Sequence, residues 1–279
     1  MAAFTLNDTG MKRVTETVPL FQAILVRGFL TSVLLLCLGA VLGGMRLRLA
    51  GRDAALTLTR CLAEVGGTFF FLTALMHMPL ASVSAILQFL PLAVTLGAAL
   101  VFGERIGWRR LTAIALGFAG VLLIIRPGTE AFDIWAVLGL ASVACVVVRD
   151  LATRGLSPQV PSVAVSFYAA ASVTLMGLFG VAFEGWQPMT LANTSVLAAA
   201  SGALIAGYMF GVMAMRVGDI GYVAPFRYTS LVWALVLGLV VFGSFPDPLT
   251  LIGAAIVIAT GIFTLLRERK LAQSAPRPA

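Results

Sequence analysis

Polar residues are rare along this chain and come in short clusters. Between them run long apolar stretches at roughly 18–43, 54–77, 80–102, 110–126, 131–152, 160–182, 192–216, 219–243 and 247–266. Each is about long enough to cross a hydrocarbon core as a helix, and 110–126 sits at the lower limit. A helix satisfies its own backbone in lipid, so helices are the elements this pattern predicts. The breaks are too short to hold a soluble domain.

A shorter apolar run, Met1 to Met11, precedes these. Thirteen residues to Arg13 make about 20 Å of helix, short of a ~30 Å core. A repeat explains this run. Asp8-x3-Lys12-x6-Pro19 returns as Asp150-x3-Arg154-x6-Pro161. Phe70, Ala74, Phe102 and Gly103 return as Phe210, Ala214, Phe242 and Gly243. One unit of about 140 residues is written twice, and in an apolar chain such duplication points to a transporter. Residues 1–13 match the end of a full span, so they are expected to be the end of a first helix. That helix is expected either to continue about ten residues upstream or to start inside the bilayer.

Counting it, the chain has ten spans, five in each copy. Because five is odd, the copies enter the membrane from opposite sides. The breaks after even-numbered spans and the C-terminus hold Arg46, Arg48, Arg52, Arg105, Arg109, Arg110, Arg154, Arg216, Arg267, Arg269, Lys270 and Arg277. Those after odd-numbered spans hold only Lys12, Arg13 and Arg126. The bias places both termini in the cytoplasm. The expected architecture is an all-α integral membrane protein: a first five-helix unit over 1–126, a second, inverted unit over 131–267 and a cytoplasmic tail over 268–279.

Composition narrows the function. Of the 279 residues, 60% are hydrophobic, and mean hydropathy is +1.01. The net charge of +7 comes from loop residues with no interleaved aromatic stripe, so no nucleic-acid partner is expected. Cys37, Cys61 and Cys145 lie far apart in apolar runs, which argues against disulfides and metal sites. With His77 as the single histidine, histidine-based metal sites and most catalytic triads are excluded. Neither an enzyme nor a cofactor is expected.

Ala74-Leu75-x3-Pro79-Leu80-Ala81-Ser82-Val83-Ser84-Ala85-Ile86-Leu87-x3-Pro91-Leu92, then Phe102-Gly103-Glu104-Arg105 and Gly117-x2-Gly120-Val121, resemble the EamA family of the drug/metabolite transporter superfamily. Asn7-Asp8-x3-Lys12 and Pro19-x7-Arg27 fit the start of its first repeat, and the resemblance runs along essentially the whole chain. Within the superfamily the chain looks most like the YddG-type amino-acid exporters. The resemblance implies ten helices, a central cavity between the repeats, and export of metabolites across a bacterial inner membrane. The second copy departs from the first at Leu231 and Ala169, the places of Pro91 and Arg27.

Charges inside spans cost on the order of 2.5–3.5 kcal/mol each on insertion scales, so they need partners or water. Arg60 and Glu64 lie one turn apart on the third span, either as a cavity pair that meets substrate or a proton, or as a structural ion pair. Gly66-Gly67 beside them leaves room for a helix or a ligand. Gln88, near Pro91, and Tyr228, near Pro225, hold equivalent places in the two copies and are candidate contacts on opposite sides of one pocket. Arg227 can bind a carboxylate or snorkel to the surface. His77 ends the third span as a gate, a pH sensor or a plain boundary residue. Tyr208 and Trp233 offer aromatic walls or packing. Arg27 is expected to anchor Asp8 or Glu16. Asp8, and its inverted counterparts Arg149 and Asp150, are candidate gate residues or ordinary helix ends. The expected partners are the bilayer, a small substrate such as a neutral or aromatic amino acid, and protons if transport is coupled. Cationic drugs and other metabolites remain alternative substrates, and a structural membrane subunit is the competing class.

Overall fold

The computed structural model describes residues 1–42, 49, 51–103, 107–127, 133–217 and 224–274. The basic residues Arg46, Arg48 and Arg105 and the last tail residues lie outside them. The described residues form eleven α-helices and one 3-10 turn. These are α1 (Ala2–Val14), α2 (Leu20–Leu42), α3 (Gly51–His77), α4 (Leu80–Leu87), α5 (Leu90–Phe102), α6 (Trp108–Ile125), α7 (Ile134–Arg154), α8 (Ser162–Glu184), α9 (Leu191–Val217), the 3-10 turn Ala224–Tyr228, α10 (Thr229–Phe242) and α11 (Pro248–Ser274). Seven stretches are long and apolar enough to cross a membrane; Leu191–Gly207 and Phe226–Phe242 are shorter apolar helices. With α1, these account for the ten spans.

The run 80–102 is not one straight helix. Pro91 has no N–H for the Leu87 carbonyl, and its ring crowds that turn. The backbone tightens just ahead of it: the Gln88 and Phe89 amides donate to the Ala85 and Ile86 carbonyls, three residues back. Span nine breaks at the equivalent place, where the 3-10 turn gives way to α10.

Burial follows a membrane logic. Large apolar side chains face outward, as Phe183 (90% exposed) and Leu191 (86%) do. Polar groups are sealed inside, among them Gln22 (0%), Asn7 (3%) and Gln88 (4%). Interior polarity must find partners. Gln22 finds them in the backbone of Gln187, donating to its carbonyl at 2.8 Å and accepting from its amide at 2.9 Å.

The helices pair mainly across the two halves of the chain. α3 packs along α7, α1 along α9, α2 along α8, α6 along α11 and α4 along α10. Advancing every span by five exchanges the first two pairs and returns the other three to themselves. Small residues allow the closest approaches. A Cβ on Gly120 would stand 2.8 Å from the Gly253 carbonyl, and one on Gly253 2.5 Å from the Gly120 carbonyl, so α6 and α11 meet backbone to backbone.

Candidate functional site

Gly66 and Gly67 decide how close α3 comes to α7. Their missing side chains are replaced by Cys145: an added Cβ would meet its Sγ at 3.2 Å or its Cβ at 3.4 Å. The room is therefore filled by a helix. One turn beyond Cys145, Arg149 comes within reach of Glu64. Its Nη1 stands 3.5 Å from Glu64 Oε1, while Arg60 Nη1 donates to Glu64 Oε2 at 3.3 Å. Arg149 also holds its neighbour Asp150, Nη2 to Oδ1 at 2.8 Å. The result is a chain of alternating sign, Arg60–Glu64–Arg149–Asp150, that joins the third and sixth spans. Alternation is what lets such charges leave water, because each would otherwise be unpaired in a low-dielectric interior.

Gln88 stands on another wall, at the break between α4 and α5. Its Nε2 donates to Ser230 Oγ at 2.9 Å and lies 3.5 Å from the Tyr228 carbonyl. A carboxamide in the first copy thus meets the broken span of the second. Tyr228 does not mirror it. Its ring turns toward α11, where an added Cβ on Gly261 would fall 1.8 Å from the tyrosine oxygen. Its hydroxyl has no hydrogen-bond partner among the described residues. The repeat maps backbone positions, but Gly261 opens a slot that takes this side chain away from the cavity.

Between these walls lies a cavity of about 390 Å³, within the size range of small-molecule sites. Its lining includes Asn7 and Asp8 of α1, Arg60, Glu64, Thr68 and Phe71 of α3, Ser84 of α4, Gln88 at the break that follows it, and Ser142, Arg149 and Asp150 of α7. Leu204, Arg227 and Ser230 complete it from the second half. A side chamber of about 110 Å³ shares Asp8, Glu64, Thr68, Phe71 and Leu204 and adds Arg27, Thr31 and Ser166. Arg27 donates to Asn7 Oδ1 at 3.3 Å, beside Asp8. Glu16, the other expected partner, pairs with Arg13 instead.

Arg60, Glu64, Gln88, Arg227, Asp8, Arg149 and Asp150 are thus brought together around one space, and Tyr228 is not. His77 lies at the far end of α3, stacked on Trp135 with centroids 3.6 Å apart. Its Nδ1 is 2.8 Å from the Thr73 carbonyl, and it does not line the cavity. Tyr208 belongs to α9, but its side chain lies outside the described residues. Trp233 is 45% exposed on α10. Thr68 and Phe71 were missed in the sequence reading, although they follow Glu64 at helical spacing on the same face. The copies also contribute unequally: Glu64 corresponds to Leu204 and Arg60 to Ala200.

The chain is similar along most of its length to proteins named as transporters. It is 26% identical to an S-adenosylmethionine uptake transporter of Rickettsia prowazekii (strain Madrid E), over 95% of this chain and 90% of the relative. It is 25% identical to the pseudopaline exporter CntI of Pseudomonas aeruginosa (strain UCBPP-PA14), over 97% and 95%. It is 26% identical to a riboflavin transporter of Rhizobium johnstonii (strain DSM 114642 / LMG 32736 / 3841), over 76% and 70%. One crystal structure shares the fold, with a TM-score of 0.64 at 23% identity, covering 97% of this chain and 96% of the other. These similarities support a transporter, not an enzyme, and a multi-pass protein of a bacterial membrane. Residues 1–126 match the model of the EamA-like transporter family, and the likeness to transporters continues through the rest of the chain.

Proposed function

We propose that this protein is a secondary transporter that carries a small zwitterionic metabolite, an amino acid being the simplest case, across a bacterial inner membrane. Two inverted five-helix units, 1–126 and 131–267, rock around the shared cavity so that it opens to one side at a time. One observation carries this reading: a cavity of about 390 Å³ lined by both halves and bearing charges of both signs.

Two of those charges stand outside the Arg60–Glu64–Arg149–Asp150 chain. Arg227 lines the cavity and has no ion-pair partner among the described residues. The Asp8 carboxylate accepts a hydrogen bond from the neutral Asn7 amide at 3.0 Å. Arg227 suits a substrate carboxylate and Asp8 a substrate ammonium, with Phe71, Leu87 and Val146 against an apolar side chain. This favours neutral and aromatic amino acids among zwitterions. Arg149 joins α7 to Glu64 across the two halves, and with Asp8 and Asp150 in the same cavity lining it serves as a gate group when those halves separate. The relatives are named for uptake in one case and export in another, so export is our reading for this chain alone.

Reconstituted vesicles test the assignment. Transport of a labelled neutral amino acid should fall at least tenfold in Arg227→Ala and in Asp8→Asn. Arg227→Ala should recover transport of the matching amino-acid amide, which has no carboxylate to bind. Leak equal to that of protein-free vesicles for all amino acids, with movement of cationic drugs, would instead support a drug exporter. A structural subunit would move neither and would shield cysteines at 64, 88 and 227 from aqueous reagents.

A further inference from the structure

The repeated sequence has a second consequence, away from the charged chain. The basic residue of each Asp-x3-basic motif meets the aromatic of the other copy's Phe-Gly pair. Lys12 Nζ lies 5.6 Å from the centroid of the Phe242 ring. The Arg154 guanidinium carbon lies 5.3 Å from that of Phe102. Both distances are within cation–π range. Lys12 and Arg154 are repeat counterparts, as are Phe102 and Phe242, so one contact is the other with the copies exchanged.

The aromatic is presented alike in both. Phe102 and Phe242 are the last residues of α5 and α10. Each is followed by a left-handed glycine, Gly103 at φ 68° and Gly243 at φ 61°. A side chain there would strain the turn that ends the helix. The partner helices are matched as well: α1 packs on α10, and α7 packs on α5.

The contacts sit at opposite ends of the molecule. Lys12 also donates to the Leu75 and Met78 carbonyls, at 2.5 and 2.6 Å, at the C-terminal end of α3. Arg154 ends α7 beside the N-terminal end of α3, where Ser157 Oγ donates to Asp53 at 2.5 Å. Between them runs a helix of 27 residues, about 40 Å. The cavity lies between the two ends.

We infer that Lys12–Phe242 and Arg154–Phe102 are a pair of equivalent latches, each holding the cavity closed at its own end and each releasing in the state that opens there. The inference rests on the transporter reading, but its test does not require transport. Cys37, Cys61 and Cys145 are replaced by serine in the full-length chain, and Ala63→Cys supplies a reporter in the cavity wall. Its reaction with a membrane-impermeant maleimide is timed separately from each side of sealed vesicles. Phe242→Leu should speed labelling about five-fold from one side only, and Phe102→Leu by a similar factor from the other, the scale of one partly exposed cation–π contact. Lys12→Gln and Arg154→Gln, which cut the same contacts from the cationic side, should each reproduce the sidedness of its partner. Phe242→Trp and Phe102→Trp should restore the parental rates.

The latches are refuted if the Leu variants leave both rates unchanged, or raise both rates together. One-sided opening in a protein that moves no amino acid keeps the latches and overturns the substrate. Normal transport with unchanged labelling does the reverse.

Discussion

Glu64 is held between two guanidiniums, one from its own helix and one from α7. Removing it leaves Arg60 and Arg149 facing each other with no negative charge between them. Breaking such an inner pair from one side costs about 3–5 kcal/mol. Glu64→Ala should therefore lower the melting temperature in detergent sharply, and a second change, Arg149→Met, should recover part of the loss. Glu64→Gln keeps the shape and removes the charge. If Glu64 carries a proton during transport, this variant loses the pH dependence of the rate; an unchanged profile means that the role is electrostatic alone. Asp247 gives a milder case outside the spans. Partial burial raises its pKa, but hydrogen bonds from the Thr250 amide and from Arg126 outweigh that and hold the carboxyl below its ordinary value. Its stabilising effect is full above the unfolded value near 3.8 and fades as pH falls through the lower folded one. The Asp247 side chain is about half exposed, so melting between pH 6 and pH 3 should be altered by under about 1 kcal/mol in Asp247→Asn. At this scale the sequence reveals Arg60 with Glu64, because four residues make one turn. It offers Arg149 as a gate candidate but hides its pairing with Glu64, because a partner on another helix leaves no local spacing, and it misplaces Tyr228, because the slot at Gly261 belongs to a distant element.

Elements were the easiest layer to read, since hydropathy alone locates spans to within a few residues. Pro91 marks the break between α4 and α5 in advance. The matching break before α10 has Leu231 where Pro91 would be, so fold symmetry places it where the local residue does not. Helix contacts were less legible. Gly120 and Gly253 meet at a backbone crossing, whereas Gly202, equally plausible by type, has nothing within 4 Å of an added Cβ. Composition names residues that permit close approach but does not say which are used. Gly120→Val should cost about 2–3 kcal/mol, because the methyls would press on a carbonyl that cannot rotate away. Gly202→Val should cost little. Comparing the two melting temperatures in one detergent checks this directly.

For the whole molecule, charge and parity make a prediction that contacts alone do not. Basic residues cluster in alternate breaks, and by the charge bias of membrane loops the C-terminus is expected in the cytoplasm. An alkaline phosphatase fused after residue 274 should then be inactive, and one fused in the break near residue 187 active. The opposite result would invert the molecule without altering its fold. The cavity was expected from the family resemblance, and the repeat agrees with it, because duplicated membrane units commonly hold a site between the copies. Its chemistry was legible only in part, since about a quarter of its wall is ordinary serine and threonine that nothing in the sequence distinguishes.

The copies that trace the same path do not share the same duties. The first contributes Arg60 and Glu64; at the corresponding places the second offers Ala200 and Leu204. The α3 face is committed, with Arg149 of α7, to an electrostatic arrangement that tolerates little change. The second half brings its own charges from α7 and from the 3-10 turn, but on α9 it lines the cavity with Leu204, where one apolar side chain can replace another at small energetic cost. New specificities can therefore arise by drift on the Leu204 side while the charged side stays intact. A lineage built on this plan could exchange cargo many times without rebuilding the machine.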